Sequence, residues 1–184
     1  MWYVIQVPAG REDYMSRLII RADTDLAAVN GRERVVRECF VPTCELERKR
    51  QGVWRKLRLP LYPGYVVADA ERAEELNELL RATPEFTRLL RVGESFTPLS
   101  RAECALIQTY ADERDRCVRM SVGVIEGDTV RVVSGPLRGC EGCIKEVNRR
   151  AGTALLEVQM FGRTTTAKVG LAIVAKRGEQ QHIA

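Results

Sequence analysis

The side chains that most often carry catalysis are scarce in this chain. Its one histidine, His182, stands near the C-terminal end in a segment expected to fray. Histidine-based acid–base or triad chemistry therefore has no candidate. Cys140-x-x-Cys143 has the spacing of half a zinc site. Its companion pair, Cys39-x4-Cys44, is more loosely spaced and lies in the other half of the chain. A structural zinc needs four converging ligands, and no thioredoxin-like βαβ unit surrounds Cys140 and Cys143. Small residues packed beside a glycine turn are the simpler reading. Gly135, Gly139 and Gly142 match neither the P-loop nor the dinucleotide fingerprint, and no helix follows to present its N-terminus. Turns and bulges account for them. The expectation is a protein that is not an enzyme and carries no metal or cofactor.

Binding chemistry is better represented. Residues 45–58 hold six basic side chains, Arg48, Lys49, Arg50, Arg55, Lys56 and Arg58, against Glu45 and Glu47. Over residues 1–111 the balance is 17 basic to 16 acidic, so this stretch is where the charge concentrates. Trp54 sits inside it, and an aromatic within a basic hairpin can stack on a base while arginines meet phosphates. The alternative is a solvated hairpin with Trp54 packed on the sheet. Tyr62-Pro63-Gly64-Tyr65 has two readings as well. It is either ordinary core at a bent strand edge or an exposed aromatic anchor of the sort that dominates protein interfaces.

The elements that must position these residues follow from patterning. With 184 residues, 45% hydrophobic and 29% charged, the chain suits one large or two small domains with real cores. A net charge of +4 favours a polyanion only where it is unevenly placed. No apolar run approaches the length of a membrane span, and no signal peptide precedes the first strand pattern. The expectation is a cytoplasmic monomer with six reduced cysteines and no membrane partner.

Trp2 to Val7 reads as a buried strand. Met15, Leu18, Ile19, Ala22, Leu26 and Val29 then recur at helical spacing, although Asp23-Thr24-Asp25 is a place for that helix to end or break. A strand from about Val35 into CFVPTCELE turns at Gln51-Gly52 into another that runs through LYPGYVVA, making a hairpin. Leu76, Leu79 and Leu80 stripe a second helix, FTRLLRV gives a short strand, and Ser100 with Glu103 fits a capping box opening a third helix. The order β-α-β-β-α-β-α predicts an α+β chain with a ferredoxin-like sandwich over residues 1–110. Residues 111–124 are charged and weakly periodic, as a linker would be. Five strand-like runs predict a small five-stranded SH3-like barrel over 125–177, followed by a tail at 178–184.

Three segments in order carry a resemblance: WYVIQVPAGRE, then FVPT…LYPGYVVADA…ATPEFTRLLRVG…PLS, then GDTVRVVSGPLRGCEGCIKEV…VQMFGRTTTAKVGLAIV. Together they resemble the NusG family of transcription elongation factors across nearly the whole chain. The resemblance makes the first domain NGN-like and the barrel KOW-like. It implies that the first domain docks on the clamp coiled coil of bacterial RNA polymerase. The matching positions are Gln6, Tyr62, Pro63, Gly64, Tyr65, Cys104 and Ile107, where core packing is the other reading of the last two. The barrel is implied to recruit a small-subunit ribosomal protein or the termination factor Rho through Leu137, Phe161 and Arg163. Leu137 stands where the family often has an aromatic.

Some features depart from the housekeeping pattern. Leu76-Asn77-Glu78 occupies the place of the His-Thr-Thr stretch with which the relative RfaH touches the opposite polymerase lobe. EFTRLLRVGES replaces the usual glycine-rich run, and the arginine-rich hairpin is short. SVGVIEGDTVRVVSGPLRGCEG and KVGLAIV are similar to the LoaP group of specialised antiterminators. That likeness implies targeting to particular operons through nascent RNA. It gives Arg48, Lys49, Arg50, Trp54, Arg55, Lys56 and Arg58 nascent RNA or non-template DNA to contact.

Overall fold

A computed structural model of the chain describes residues 1–83, 85, 87–111 and 115–174. The tail expected at 178–184, with His182, and part of the expected linker, 112–114, lie outside the described residues.

Strand β1 (Trp2–Gln6) alternates strictly, and its two faces serve two cores. It forms an antiparallel sheet with β2 (Val36–Phe40), β5 (Tyr65–Ala70) and β6 (Arg88–Leu89), in the order β2-β5-β1-β6. One face carries Tyr3, Ile5, Val66 and Ala68 against Met15 and Ile19 of α1 (Glu12–Asn30) and Leu76, Leu79 and Leu80 of α2 (Ala73–Ala82). The other face carries Val4, Phe40 and Val67 against Leu99 and, in α3 (Arg101–Tyr110), Ile107. This is the ferredoxin-like sandwich with its appended helix.

Helix α1 runs unbroken through Asp23-Thr24-Asp25, correcting the expected break. The Asp23 side chain is fully buried, and its carboxylate accepts from the backbone N–H groups of Val35 (3.0 Å) and Val36 (2.9 Å). Arg32 and Arg34 flank it at 3.9 and 3.6 Å. A residue that disfavours helix by local propensity is thus retained to fasten the start of β2.

The hairpin is built from its own strands. β3 (Thr43–Arg50) and β4 (Val53–Pro60) pair over their whole length around a Gln51-Gly52 turn with φ of 52° and 83°. What reads in sequence as two strands is four, because Val41-Pro42 and Leu61–Gly64 redirect the chain between the main sheet and the hairpin. Proline cannot continue a central ladder, so each redirection falls where one stands. A small ribbon of β7 (Arg91–Val92) and β8 (Ser95–Phe96) precedes α3. The capping box is formed: the Glu103 N–H donates to Ser100 Oγ (3.3 Å), and the Ser100 N–H donates to Glu103 Oε2 (2.8 Å).

The stretch read as a linker contains strands. β9 (Cys117–Val118) pairs parallel with β3, and β10 (Ser121–Glu126) opens the barrel. β11 (Thr129–Ser134), a 3-10 turn (Glu141–Cys143), β12 (Ile144–Asn148), β13 (Thr153–Met160) and β14 (Arg163–Ile173) complete it, in the order β11-β10-β14-β13-β12. Barrel residues Leu137, Leu156, Met160 and Leu171 and first-domain residues Val4, Tyr62 and Ile107 belong to one continuous buried cluster. Charge hid this from a periodicity reading: Asp115, Arg116 and Arg119 are spent on the first domain rather than on solvent.

Candidate functional site

The Tyr62–Tyr65 stretch is a type II turn. The Tyr65 N–H donates to the Tyr62 carbonyl (3.2 Å), Pro63 takes the second position, and Gly64 at the third has φ 84°. Glu12, buried at the start of α1, accepts the Gly64 N–H on Oε1 at 2.7 Å, and the Val7 N–H donates to the Gly64 carbonyl at 2.9 Å. The turn is therefore held from two sides. Tyr62 is turned inward, and burial together with the Glu103 carboxylate pushes its phenol well above the ordinary range. Its hydroxyl is buried without a hydrogen-bond partner among the described residues. Tyr65 is half-buried, at the rim.

Phe161 of the barrel lies on both tyrosines. Its ring centroid is 5.3 Å from Tyr62, edge-on, and 5.0 Å from Tyr65, tilted. To reach them Phe161 takes φ 60° in the two-residue turn Phe161-Gly162, a left-handed conformation that costs a non-glycine residue about 1–2 kcal/mol. Beside the rings, the Gly162 N–H donates to Glu103 Oε1 (3.3 Å), so the residue that caps α3 also holds the barrel. Burial raises the Glu103 carboxyl, but hydrogen bonds from Ser100 and Gly162 outweigh it and hold the group below its ordinary value. A cavity of about 430 Å³ continues from the rings past Val4, Leu90, Leu99 and Ser100.

The barrel also meets the root of the hairpin. Cys44 Sγ donates to the Lys168 carbonyl at 3.2 Å. A Cβ on Gly170 would stand 2.4 Å from the Glu45 carbonyl oxygen, so β14 approaches β3 as closely as a bare backbone allows.

The other expected docking positions are spread over this face and the two cores. Gln6 is half-buried at the end of β1, opposite Tyr65. Cys104 is half-buried, its thiol pushed up by burial and then by Glu103. Ile107 is fully buried in the core. Leu137 is fully buried in the barrel, where its N–H donates to Ser121 Oγ (3.1 Å). Arg163 is exposed beside the Phe161 turn. Leu76 is also core, which leaves Asn77 and Glu78 as the surface residues of that tripeptide.

The hairpin register divides the basic residues between two faces. Arg48 stands opposite Arg55, and Arg50 opposite Val53, on the face that continues into Leu46 and Leu57. Lys49 opposes Trp54, Lys56 opposes Glu47 and Arg58 opposes Glu45 on the other face. Trp54 is 53% exposed, which removes the reading in which it packs on the sheet. Arg48, Lys49, Arg50, Arg55 and Lys56 make no ion pair with another described residue, and two arginines directly opposed repel.

Arg58 is differently placed, with its guanidinium 2.6 Å from Asp115 Oδ2. Arg119 reaches the same oxygen at 2.7 Å and Glu45 Oε1 at 2.6 Å. Burial raises the Glu45 carboxyl, but Arg119 more than offsets this and the group is held low. Arg116, at φ 51°, lies over Trp2 and Phe40, pairs with Glu38 at 2.9 Å and accepts the Thr43 N–H on its carbonyl (2.9 Å). Sequence reasoning missed Glu12, Asp115, Arg116 and Arg119, each of which has a partner distant in the chain: Gly64, Arg58, Glu38 and Glu45 in turn. The described residues group no three His, Cys, Asp or Glu side chains suited to a metal ion, and contain no helix long and apolar enough to cross a membrane.

Comparison with known proteins converges on one family. The family model described as transcription termination factor NusG matches residues 1–108. The transcription termination/antitermination protein NusG of Pseudomonas aeruginosa is 29% identical over 177 residues, covering 95% of this chain and 97% of its own. That of Thermus thermophilus is 28% identical over 183 residues, covering 95% and 97%. The solved structure described as domain interaction in Thermotoga maritima NusG matches with a TM-score of 0.56 at 20% identity, covering 92% of each chain, a likeness of fold. Among proteins named for transcription termination and antitermination, with an NGN-like sandwich joined to a KOW-like barrel, this chain belongs to the NusG family.

Proposed function

We propose that the protein is a specialised antitermination factor that docks on the clamp coiled coil of RNA polymerase and suppresses pausing and termination. It makes and breaks no bond; it binds the elongation-competent state more tightly than the paused one and so shifts the population. The observation that carries this reading is the aromatic turn. It is fixed by Glu12 and Val7 and covered from outside by one barrel side chain, Phe161, at the end of a hairpin. Such a surface becomes available whenever the barrel moves away, and Tyr62 and Tyr65 then supply the rigid anchors that interfaces favour.

The ribbon supplies the second contact, to nascent RNA or non-template DNA. Five basic side chains that form no ion pair with another described residue and an exposed tryptophan on an outlying hairpin suit phosphates and an unstacked base. Targeting to particular operons, as in the LoaP group, would rest on this contact. Crosslinking in cells and sequencing of the bound transcripts tests the reading. Enrichment on one or a few operons supports it, whereas even occupancy across the genome supports a general factor. That second reading, in which Phe161 and Arg163 couple polymerase to Rho or to a small-subunit ribosomal protein, is favoured by the names of the relatives matched.

A further inference from the structure

All six cysteines lie among the described residues, none is joined in a disulfide there, and five of them are shielded to differing degrees. Burial pushes the Cys39 thiol up to about 12 and the Cys44 thiol up to about 11. Cys117 is fully buried. Cys104 is half-buried, with its thiol directed to the Leu99 carbonyl at 3.8 Å. Cys143 is exposed, and half-buried Cys140 is three residues away in the same turn.

That turn sets the geometry. The Cys143 N–H donates to the Cys140 carbonyl at 3.0 Å, closing one turn of 3-10 helix over Glu141–Cys143. An i to i+3 hydrogen bond brings the two Cα atoms within about 7 Å, and a disulfide spans Cα separations of about 4.4–6.8 Å. Cys140 flanks that turn at its start and Cys143 is its last residue. The turn is anchored independently of the sulfurs. The Cys140 N–H donates to the Leu137 carbonyl at 3.0 Å, and Glu141 Oε1 accepts the Val132 N–H at 3.1 Å. Gly139 and Gly142 leave open space on either side.

We propose that Cys140 and Cys143 form a reversible dithiol–disulfide site, oxidised by small-molecule disulfides of the glutathione class. The exposed Cys143 thiolate attacks one sulfur of the small disulfide, whose S–S bond breaks and releases one thiolate, which takes up a proton. Cys140 then gives its proton to solvent and attacks the Cys143 sulfur of the mixed disulfide, expelling the second small thiol. The protein loses two protons and two electrons, and the small disulfide becomes two thiols. Excess small thiol reverses both steps.

The test uses the full reduced chain in mixtures of oxidised and reduced glutathione, quenched by acid and read by intact and peptide mass. The expected product has lost two hydrogens, carries its cross-link within the Cys140–Cys143 peptide, and keeps four thiols that alkylate once the chain is denatured. Cys140→Ser should stop at a glutathione adduct on Cys143, and Cys143→Ser should leave the chain unmodified. A wild-type chain that accumulates the glutathione adduct without closing overturns the proposal. So does oxidation falling first on Cys104 or another cysteine. The wild-type result decides even if a variant fails to fold.

Discussion

Replacing Gly170 by alanine should drive the two domains apart while leaving each folded. The new Cβ would stand 2.4 Å from the Glu45 carbonyl oxygen, against ordinary contacts of 3.4–4 Å, so β14 must retreat by about 1 Å. Glu45 cannot yield, because β3 is paired with β4 from Thr43 to Arg50. Met120 Cγ, at 2.6 Å, must shift as well. Within the barrel no other strand is among the nearest obstacles, and the φ of Gly170 is one that alanine adopts. Overpacking of this kind costs about 1–3 kcal/mol, here borne only by the closed arrangement. A retreat of that size also thins the contact of Phe161 with Tyr62 and Tyr65, forfeiting roughly a quarter to a half of each dispersion well. The ratio of open to closed molecules should rise about 5- to 150-fold. Energy transfer between dyes placed on exposed residues of α1 and of β12 reads the separation, and circular dichroism with thermal melting reads the folds. Unchanged transfer efficiency with native spectra would refute the reasoning. It would mean that the backbone approach at Gly170 does not hold the domains together.

Tyr65→Ala, at the rim, should weaken polymerase binding by about 1–3 kcal/mol with a native spectrum, as measured by equilibrium titration. Replacing Arg48, Lys49, Arg50, Arg55 and Lys56 by Gln should flatten the salt dependence of RNA binding by about 0.7–0.9 in log–log slope per lost phosphate contact. Trp54→Ala should instead cost about 1–3 kcal/mol with the slope retained; equal slopes in wild type and charge variant would make the ribbon a solvated face. Asp23→Ala should cost at least about 1–3 kcal/mol in urea unfolding, because it strands the buried N–H groups of Val35 and Val36. Glu103 is held below its ordinary value in the closed protein, so its contribution is full above the unfolded pKa of about 4.3 and is lost as pH falls through the folded value. Energy transfer should therefore drop in that acid window, and Glu103→Gln should remove the pH dependence.

What the sequence determined by itself is whatever depends on neighbours along the chain. Alternation in Trp2–Gln6, the stripe of Leu76, Leu79 and Leu80, the Ser100–Glu103 cap and the Gln51-Gly52 turn were legible because each is a local period or a local hydrogen bond. The concentration of charge at 45–58 was legible for the same reason, since counting requires no fold. The tertiary structure decided which neighbours those residues meet. Asp23, a helix breaker by propensity, stays helical because two distant backbone N–H groups need its carboxylate. Arg58 reads as one more cation of the ribbon until Asp115, 57 positions on, stands 2.6 Å away. Tyr62, Tyr65 and Phe161 read as two separate binding sites, yet the chain brings their rings within 5.3 Å. The physical reason is common to all three. An ion pair, a buried carboxylate and an aromatic contact depend on distance in space, which patterning along the chain does not encode.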